Sequence, residues 1–413
     1  MNEKDKNFVQ QLRERLKNIP QTEKLTDFDL LRWLQGFDYK LSTIIPKLID
    51  HVNFLNAYDF ESYEPPDVMQ KCWPFGLTGP TGKGDNLLYI ECAGRLDGEG
   101  VLKSVMLTDI MKSVVKAGLY MMQKVREMEA ETGRQWGLVH VVDLEHMILD
   151  SKQLSIITGP YRLLVRFFMA HYVELYRKII WVNSPSYVQY LFQIVKPFVP
   201  EKTRKKNFSI PILEIMTDLN STSSLLAFLL SGHDWRTSIL EHVDADHLPV
   251  HWGGTMVDTQ TGDPFCSSLV RIPPLRVDHV HFWTADEKEP AKEDLCTLTV
   301  GAWKMDFLTF EVTSSDDPIL EWYFWCDGDF GFGVFYEPAA VKIQTSHDDK
   351  DEGGRADDLG SMVYPYVDRL PGPTRLPEKD EIVCQKPGFY KIMFNNSFSW
   401  MTALKIHYRK GYS

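Results

Sequence analysis

The segment "VVDLEHM" sets Asp143, Glu145 and His146 within four positions of one another at the end of an apolar run. Two carboxylates and an imidazole at a strand end have the makings of general acid–base chemistry. They serve equally well as caps for the turn and for the helix that follows. A second cluster, "EHVDADHLPVHW", supplies His242, Asp244, Asp246, His247 and His251. His247 and His251 are four apart, a metal-binding spacing when both sit on one helical face. Pro249 between them disfavours that helix, so a loop leaving an α/β core is expected instead. "GPTGKG" (79–84) has the look of a phosphate-binding loop, but Gly84 follows Lys83 where Ser or Thr is needed, and a strand comes next. A turn is expected there. The sequence contains no GxSxG elbow, HExxH or catalytic-cysteine signature. No catalytic residue, metal or cofactor is therefore assigned, and the expected role is not enzymatic.

The elements that must carry these residues fall into three regimes across 413 residues. Residues 1–72 read as an N-terminal helical region. "FVQQLRERL" has helical apolar spacing, "TDFDLLRWL" opens on a capping threonine, and "STIIPKLIDHVNFLNAY" follows with Ser42 as the expected cap. From 73 to 257 strands and helices alternate: "NLLYIECA", "GLVHVVDL" and "KIIWVN" are nearly continuous apolar runs, as in a mostly parallel sheet buried on both faces and flanked by helices. Residues 265–413 lose the helical period and read as an all-β sandwich of aromatic strands. Within it an acidic loop, 345–360, is expected to be disordered; its residues 348–358 carry a net charge of −4.

Composition narrows the partners. The chain's net charge is −12, which argues against nucleic acid as a partner, since phosphate binding needs a broad basic surface. Six cysteines without a CxxC pair suit reduced thiols in the cytosol. The charged start "MNEKDKNFVQQLRERL" lacks the apolar core of a signal peptide, and no stretch reaches the ~18 apolar residues of a membrane span. A soluble cytoplasmic protein is expected.

Two helices are oilier than one sheet face requires. Ile157, Tyr161, Leu164, Val165, Phe168, Met169 and Tyr172 form one broad stripe; Tyr187, Val188, Leu191, Phe192, Val195, Phe198 and Val199 form another, ended by Pro197 and Pro200. Core packing accounts for most such positions, while a cavity wall with the second helix as a lid accounts for the excess. Just beyond the second helix, Lys196, Lys202, Arg204, Lys205 and Lys206 meet only Glu201, a local +4 in an acidic chain.

"DLLRWLQGF", "VVDLEHM", "YVELYRKIIWVNSPSYVQYLFQIVKPFVPEKTRKK" and "DHLPVHWGGT", in that order, resemble the CRAL-TRIO lipid-binding domain with its N-terminal helical part. The resemblance is to the Sec-fourteen-like subfamily of phosphatidylinositol and tocopherol transfer proteins. "WYFWCDGDFGFGVFY" and "PGFYKIMFNNSFSWMTALKIHY" are similar to a GOLD domain. The resemblance implies a soluble carrier that encloses one hydrophobic lipid, phosphatidylinositol or tocopherol-like, in a gated apolar pocket and exchanges it at membranes. Each methylene exposed to water costs ~0.8 kcal/mol, so a lipid with about 30 of them would face roughly 24 kcal/mol outside such a pocket. It further implies a gate helix at 186–196, bearing Tyr187, Leu191, Phe192, Val195 and Phe198, with Tyr161, Leu164 and Phe168 in the pocket wall. Head-group contacts fall by motif on Glu174, Thr203 and Lys206, and a membrane-facing basic patch on Lys202, Arg204 and Lys205. Peripheral association with Golgi or endosomal membranes, and a protein partner for the GOLD-like part, go with this reading. The alternative is a lipid-sensing regulatory adaptor that acts through the GOLD-like part without net transport.

Four departures from the family pattern stand out. "LQGF" replaces an arginine-rich continuation of the first motif, Val173 replaces the proline of "YPE", and Leu138 and His140 stand where choline-lipid binders carry hydroxyls. Finally, 208–226 reads as an insertion that either loops out or displaces the strand "AFLLSG" from the sheet.

Overall fold

In the computed structural model the described residues are 1–148, 156–185, 226–229, 235–285, 289–290, 294–313, 318–339 and 360–409. The chain divides into two units. The first comprises Met1–Asp50, Pro65–Val101 and Ser113–His281, the second His51–Glu64, Leu102–Lys112 and Phe282–Ser413.

In the first unit, α1 (Glu3–Leu16) buries Val9, Leu12 and Leu16, one stripe at helical spacing. The helix α2 (Asp27–Gly36) is started by a reciprocal cap: the Asp29 amide donates to Thr26 Oγ1 at 3.1 Å and the Thr26 amide to Asp29 Oδ2 at 2.8 Å. The next helix, α3 (Leu41–Asn56), begins one residue before Ser42, so Ser42 lies in its first turn and not at the cap. Short α4 (Asp67–Cys72) leads into the sheet, and α5 (Gly98–Ser104) and α6 (Leu107–Thr132) follow its second strand.

The sheet runs in the order β1 (Gly76–Pro80), β2 (Asn86–Glu91), β3 (Gly137–Asp143), β4 (Tyr176–Val182), β5 (Leu226–Leu229). β1 pairs antiparallel with β2, and the other pairings are parallel. Every residue of β3 is buried, which is why it reads as a nearly continuous apolar run, interrupted by His140 and ended by Asp143. Alternation splits the sheet into two faces. Leu88, Ile90, Val139, Val141, Ile180 and Val182 pack against Trp235, Ile239, Val243, Leu248 and Trp252. Leu87, Tyr89, Leu138, Val142, Ile179 and Trp181 turn the other way, towards Val114, Met121 and Val125 of α6 and Phe168 of α7 (Arg162–His171). The position beside β4 is held by Leu226 together with Ala227, Phe228 and Leu229 of "AFLLSG", so this strand is not displaced; "FSIPILEI" lies outside the described residues.

In the second unit two four-stranded antiparallel sheets stack face to face. One has the order β10 (Ser361–Leu370), β9 (Phe330–Pro338), β12 (Gly388–Asn395), β7 (Met305–Val312); the other β11 (Glu378–Val383), β8 (Ile319–Cys326), β13 (Leu404–Tyr408), β6 (Cys296–Val300). Phe324 of one sheet meets Phe332 and Phe394 of the other at 5.0 Å between ring centroids. The acidic stretch 345–359 is outside the described residues.

Glu378 is buried at the start of α6, where its carboxylate accepts from the Leu107 amide (2.8 Å), the Thr108 amide (3.1 Å) and the Thr108 hydroxyl (2.6 Å). Burial pushes its carboxyl up to about 7, outweighing those donors, which favour the ionised form. The folded value exceeds the unfolded value of 4.5, so this contribution to stability is complete below 4.5 and is lost as pH rises through about 7. Between pH 5 and 8 the wild type should lose on the order of 3 kcal/mol from this group. Glu378→Gln should lack that increment in denaturant melts taken across the same range; parallel curves for the two proteins would refute it.

Candidate functional site

The arginine of "DLLRWL" is structural. Arg32, 2% exposed, binds Asp29 at 3.1 Å, Glu129 of α6 and the Trp136 carbonyl at 3.1 Å, while Arg126 reaches Asp29 at 2.9 Å. Breaking such a buried pair leaves an uncompensated charge, so these contacts fix α2 against α6. At the other end of α2 a Cβ on Gly36 would fall 2.2 Å from Val173 Cγ1 and 3.4 Å from Glu174 Cγ. The two departures from the family motifs, Gly36 and Val173, are therefore in contact: the helix end lies where a side chain would collide. Glu174 itself is buried, at φ 52°, two residues before the start of β4. It shares no helical turn with Arg177 and Lys178, which belong to β4, and its charge acts on the Arg177 guanidinium.

Between the sheet and the helices α6 and α7 lies a hollow of about 90 Å³. Tyr161, Leu164, Val165, Phe168 and Met169 line it from the α7 side, Val114, Ala117 and Met121 from α6. The sheet supplies Tyr89, His140, Val142, Ile179 and Trp181. Strand register brings these together, since Tyr89 pairs with His140 and His140 with Ile179. Gly118 of α6 leaves room for the Tyr172 ring, whose hydroxyl donates to the Val115 carbonyl at 2.8 Å and holds α7 to α6. Tyr161, Leu164 and Phe168 thus share one wall. Glu174 is not among the lining residues.

One end of the hollow is polar. His140 Nε2 lies 2.9 Å from Glu91 Oε2, and the Tyr161 hydroxyl donates to Glu91 Oε1 at 3.2 Å. The ring of His140 sits between Tyr89 (4.5 Å) and Tyr176 (5.2 Å). Both groups are buried, and neither ring nitrogen makes an aligned hydrogen bond; the short approach to Glu91 is close without being linear. Burial pushes the phenols of Tyr89, Tyr161 and Tyr176 well above their usual range, so all three are neutral hydroxyls. Glu91 is absent from the candidates drawn from the sequence. Its signal is a lone acid two positions after Tyr89 in an otherwise apolar strand, on the face that His140 shares.

On the opposite face, Asp143 closes the end of β3. Its Oδ1 accepts from the Glu145 amide (2.9 Å) and Asn183 Nδ2 (2.8 Å), its Oδ2 from Trp252 Nε1 (2.9 Å). Burial alone would raise this carboxyl; the neighbouring His251 ring and the Asn183, Glu145 and Trp252 donors together hold it below its ordinary value. Ligand atoms of Asp143, Glu145 and His251 come within 4.8 Å of one another, but a cation there would face three N–H donors already turned on Asp143. His247 and His251 fall in separate single turns, Ala245–His247 and Val250–Trp252, on either side of Pro249. Asp143 acts as a latch for the turn after β3.

The gate-helix candidates Tyr187, Leu191, Phe192, Val195 and Phe198, the head-group candidates Thr203 and Lys206, and the basic patch Lys202, Arg204 and Lys205 lie outside the described residues. Among the described residues no helix is long and apolar enough to cross a membrane.

The CRAL/TRIO domain family model matches residues 70–214, the segment that contains β1–β4, α6, α7 and the hollow. A second family model, described as "F28H7_8_C:-like, C-terminal domain", matches residues 281–412. The chain is similar to the CRAL-TRIO domain-containing protein F28H7.8 of Caenorhabditis elegans, at 26% identity over 95% of this chain and 87% of the relative. It is also similar to Protein ctg-1 of the same organism, at 27% identity over 94% of this chain and 92% of the relative. Among solved structures, that of Sfh5 aligns with 66% of this chain and 94% of its own, at 15% identity and a TM-score of 0.41.

Replacing Gly36 by Ala should force the α2 end away from Val173 and cost about 1–3 kcal/mol of stability. Val173→Ala on that background should recover part of the loss. Chemical denaturation of the four proteins of the cycle measures it, and strictly additive effects would show that the two sites do not touch.

Proposed function

Because residues 70–214 match the CRAL/TRIO domain family model, and such domains mark lipid-binding or lipid-transfer proteins, we propose that this chain encloses one hydrophobic lipid in the hollow beneath α6 and α7 and exchanges it at membranes. The observation that carries the reading is the hollow itself, about 90 Å³ and walled mainly by Leu, Val, Met, Phe and Trp side chains with a few convergent polar groups at one end. The Glu91–His140–Tyr161 group then receives the polar end of the guest, which satisfies the His140 nitrogens that the protein leaves without aligned partners. A carboxylate at that pole suits a guest that donates a hydrogen bond there, such as an alcohol or phenol of the tocopherol type.

The gate in this proposal is the helix 186–196, and the +4 cluster after it draws that gate to anionic lipid, at about 1 kcal/mol per charge near the surface. Phosphatidylinositol remains the second candidate guest, with Thr203 and Lys206 at its head group. Cytoplasmic residence with peripheral membrane contact follows from the same reading. The C-terminal sandwich, GOLD-like by its sequence, supplies docking to a protein or membrane.

Lipid mass spectrometry on the purified wild type should recover one bound lipid per chain, and liposome-to-liposome assays should show catalysed exchange. Ala117→Phe projects a ring into the hollow and should reduce retained lipid roughly ten-fold, with little change in melting because the space is unfilled. A wild type that neither retains nor exchanges lipid would end the proposal, and retention without exchange would favour the lipid-sensing adaptor. For the head-group assignment, Lys206→Ala should lower phosphatidylinositol transfer about ten-fold while sparing a neutral guest. Equal losses for both guests would assign the residue to folding or gating.

A further inference from the structure

Two turns of the second unit cross from one sheet to the other at the same end: 301–304 joins β6 to β7, and 396–403 joins β12 to β13. Register places them side by side, since Asn395 pairs with Met305 and Leu404 with Val300. Their tips carry Trp303, Trp400 and Met401, which are 55%, 78% and 90% exposed. The two indoles meet at 5.1 Å between centroids, so they form one apolar platform and not two stray side chains.

The platform stands on a rigid root. Asn396 is buried, and its side-chain amide donates to the carbonyls of Val300 (3.1 Å), Gly301 (3.2 Å) and Thr402 (2.9 Å), while its backbone amide donates to the Lys304 carbonyl (2.9 Å). The Ser399 hydroxyl adds a bond to the Thr402 carbonyl at 2.8 Å. One asparagine thus staples both turns and satisfies carbonyls that a turn would ordinarily leave to water. Trp303 is held at φ 63°, a conformation that a bulky residue adopts only under constraint.

We propose that this tip is a membrane-docking surface that seats Trp303, Trp400 and Met401 in the interfacial zone of a lipid bilayer. Indole is the side chain that favours that zone, with an apolar ring and one N–H for the head-group region. Backbone groups that enter it must be satisfied internally, as the Asn396 staple arranges. A protein partner fits less well. Two indoles and a thioether offer about 500 Å², short of the roughly 800 Å² each side contributes to a stable protein interface. The charges beside the turns balance, with Lys304 and Lys405 against Asp306 and Asp327, and Arg369, which lies over the Phe398 ring, paired with Asp329, so the contact rests on apolar insertion and asks for no anionic lipid.

The test uses the full chain with pure phosphatidylcholine vesicles. A Met401→Cys variant labelled with an environment-sensitive fluorophore should shift its emission to the blue on vesicle addition, and nitroxide groups on the acyl chains should quench it. The Trp303→Ser/Trp400→Ser double variant should float with vesicles roughly ten-fold less than wild type, while it melts at the same temperature and retains the same copurified lipid. That retention separates this surface from the hollow: loss of lipid cargo would belong to the other unit. An emission spectrum unmoved by vesicles, or equal flotation of the double variant, would overturn the proposal. So would light scattering that shows a wild-type dimer dissolved by the double substitution, because the tip would then be a protein interface.

Discussion

The α/β unit depends on the register of three parallel strands. Tyr89 opposite His140 and His140 opposite Ile179 put one row of side chains towards α6 and α7, and a slip of one residue would exchange the two faces of the sheet. The face turned to Trp252 is filled solid, with Leu248, Trp252 and Ile239 fully buried against Ile90, Val141 and Ile180. The face turned to α7 is not filled, and there the sheet leaves a hollow with a carboxylate and an imidazole at one end. A polar pair in such a place costs desolvation that apolar replacements would avoid. Its presence makes sense when a guest completes its hydrogen bonds.

Contacts of different kinds bind the helical start of the chain to this unit. The Arg32 network is ionic and buried, with Asp29 and Glu129 sharing one guanidinium. The Gly36–Val173 contact is steric, a fit made by the absence of a side chain. Gly36 of "LQGF" and Val173, where the sequence departs from the motifs it resembles, thus pack directly against each other.

Much of the fold was legible because the central strands β2, β3 and β4 are mostly apolar, and because Thr26 and Asp29 announce α2 through a capping box. The stripe Tyr161–Leu164–Phe168 could be read from helical spacing, and these residues do share the hollow's wall. Periodicity alone could not separate a wall from a core, because both ask for the same apolar face. Glu91 escaped notice for a related reason: one acid in a strand acquires meaning only when a neighbouring strand sets a histidine beside it. That residues 51–64 and 102–112 group with the later strands was likewise hidden, because those contacts join positions far apart in the chain. Ser42 misled through chemistry, since a serine in a first turn looks like a cap until the hydrogen bonds are drawn.

The indole of Trp252 reaches back across 109 positions to Asp143. While the chain emerges from a ribosome, β2, β3 and β4 can come together well before that indole exists; Asp143 Oδ1 can then already meet the Glu145 amide and Asn183, while Oδ2 must wait in water. The second face of the sheet stays bare until Trp235, Ile239, Val243, Leu248 and Trp252 arrive to cover it. A nascent chain halted near residue 230 would therefore expose a half-clad, strongly apolar sheet, the kind of surface that chaperones hold and that aggregates form from. Closure of this unit is a late event in its synthesis, fastened by a single hydrogen bond from a residue that comes long after the strands it seals.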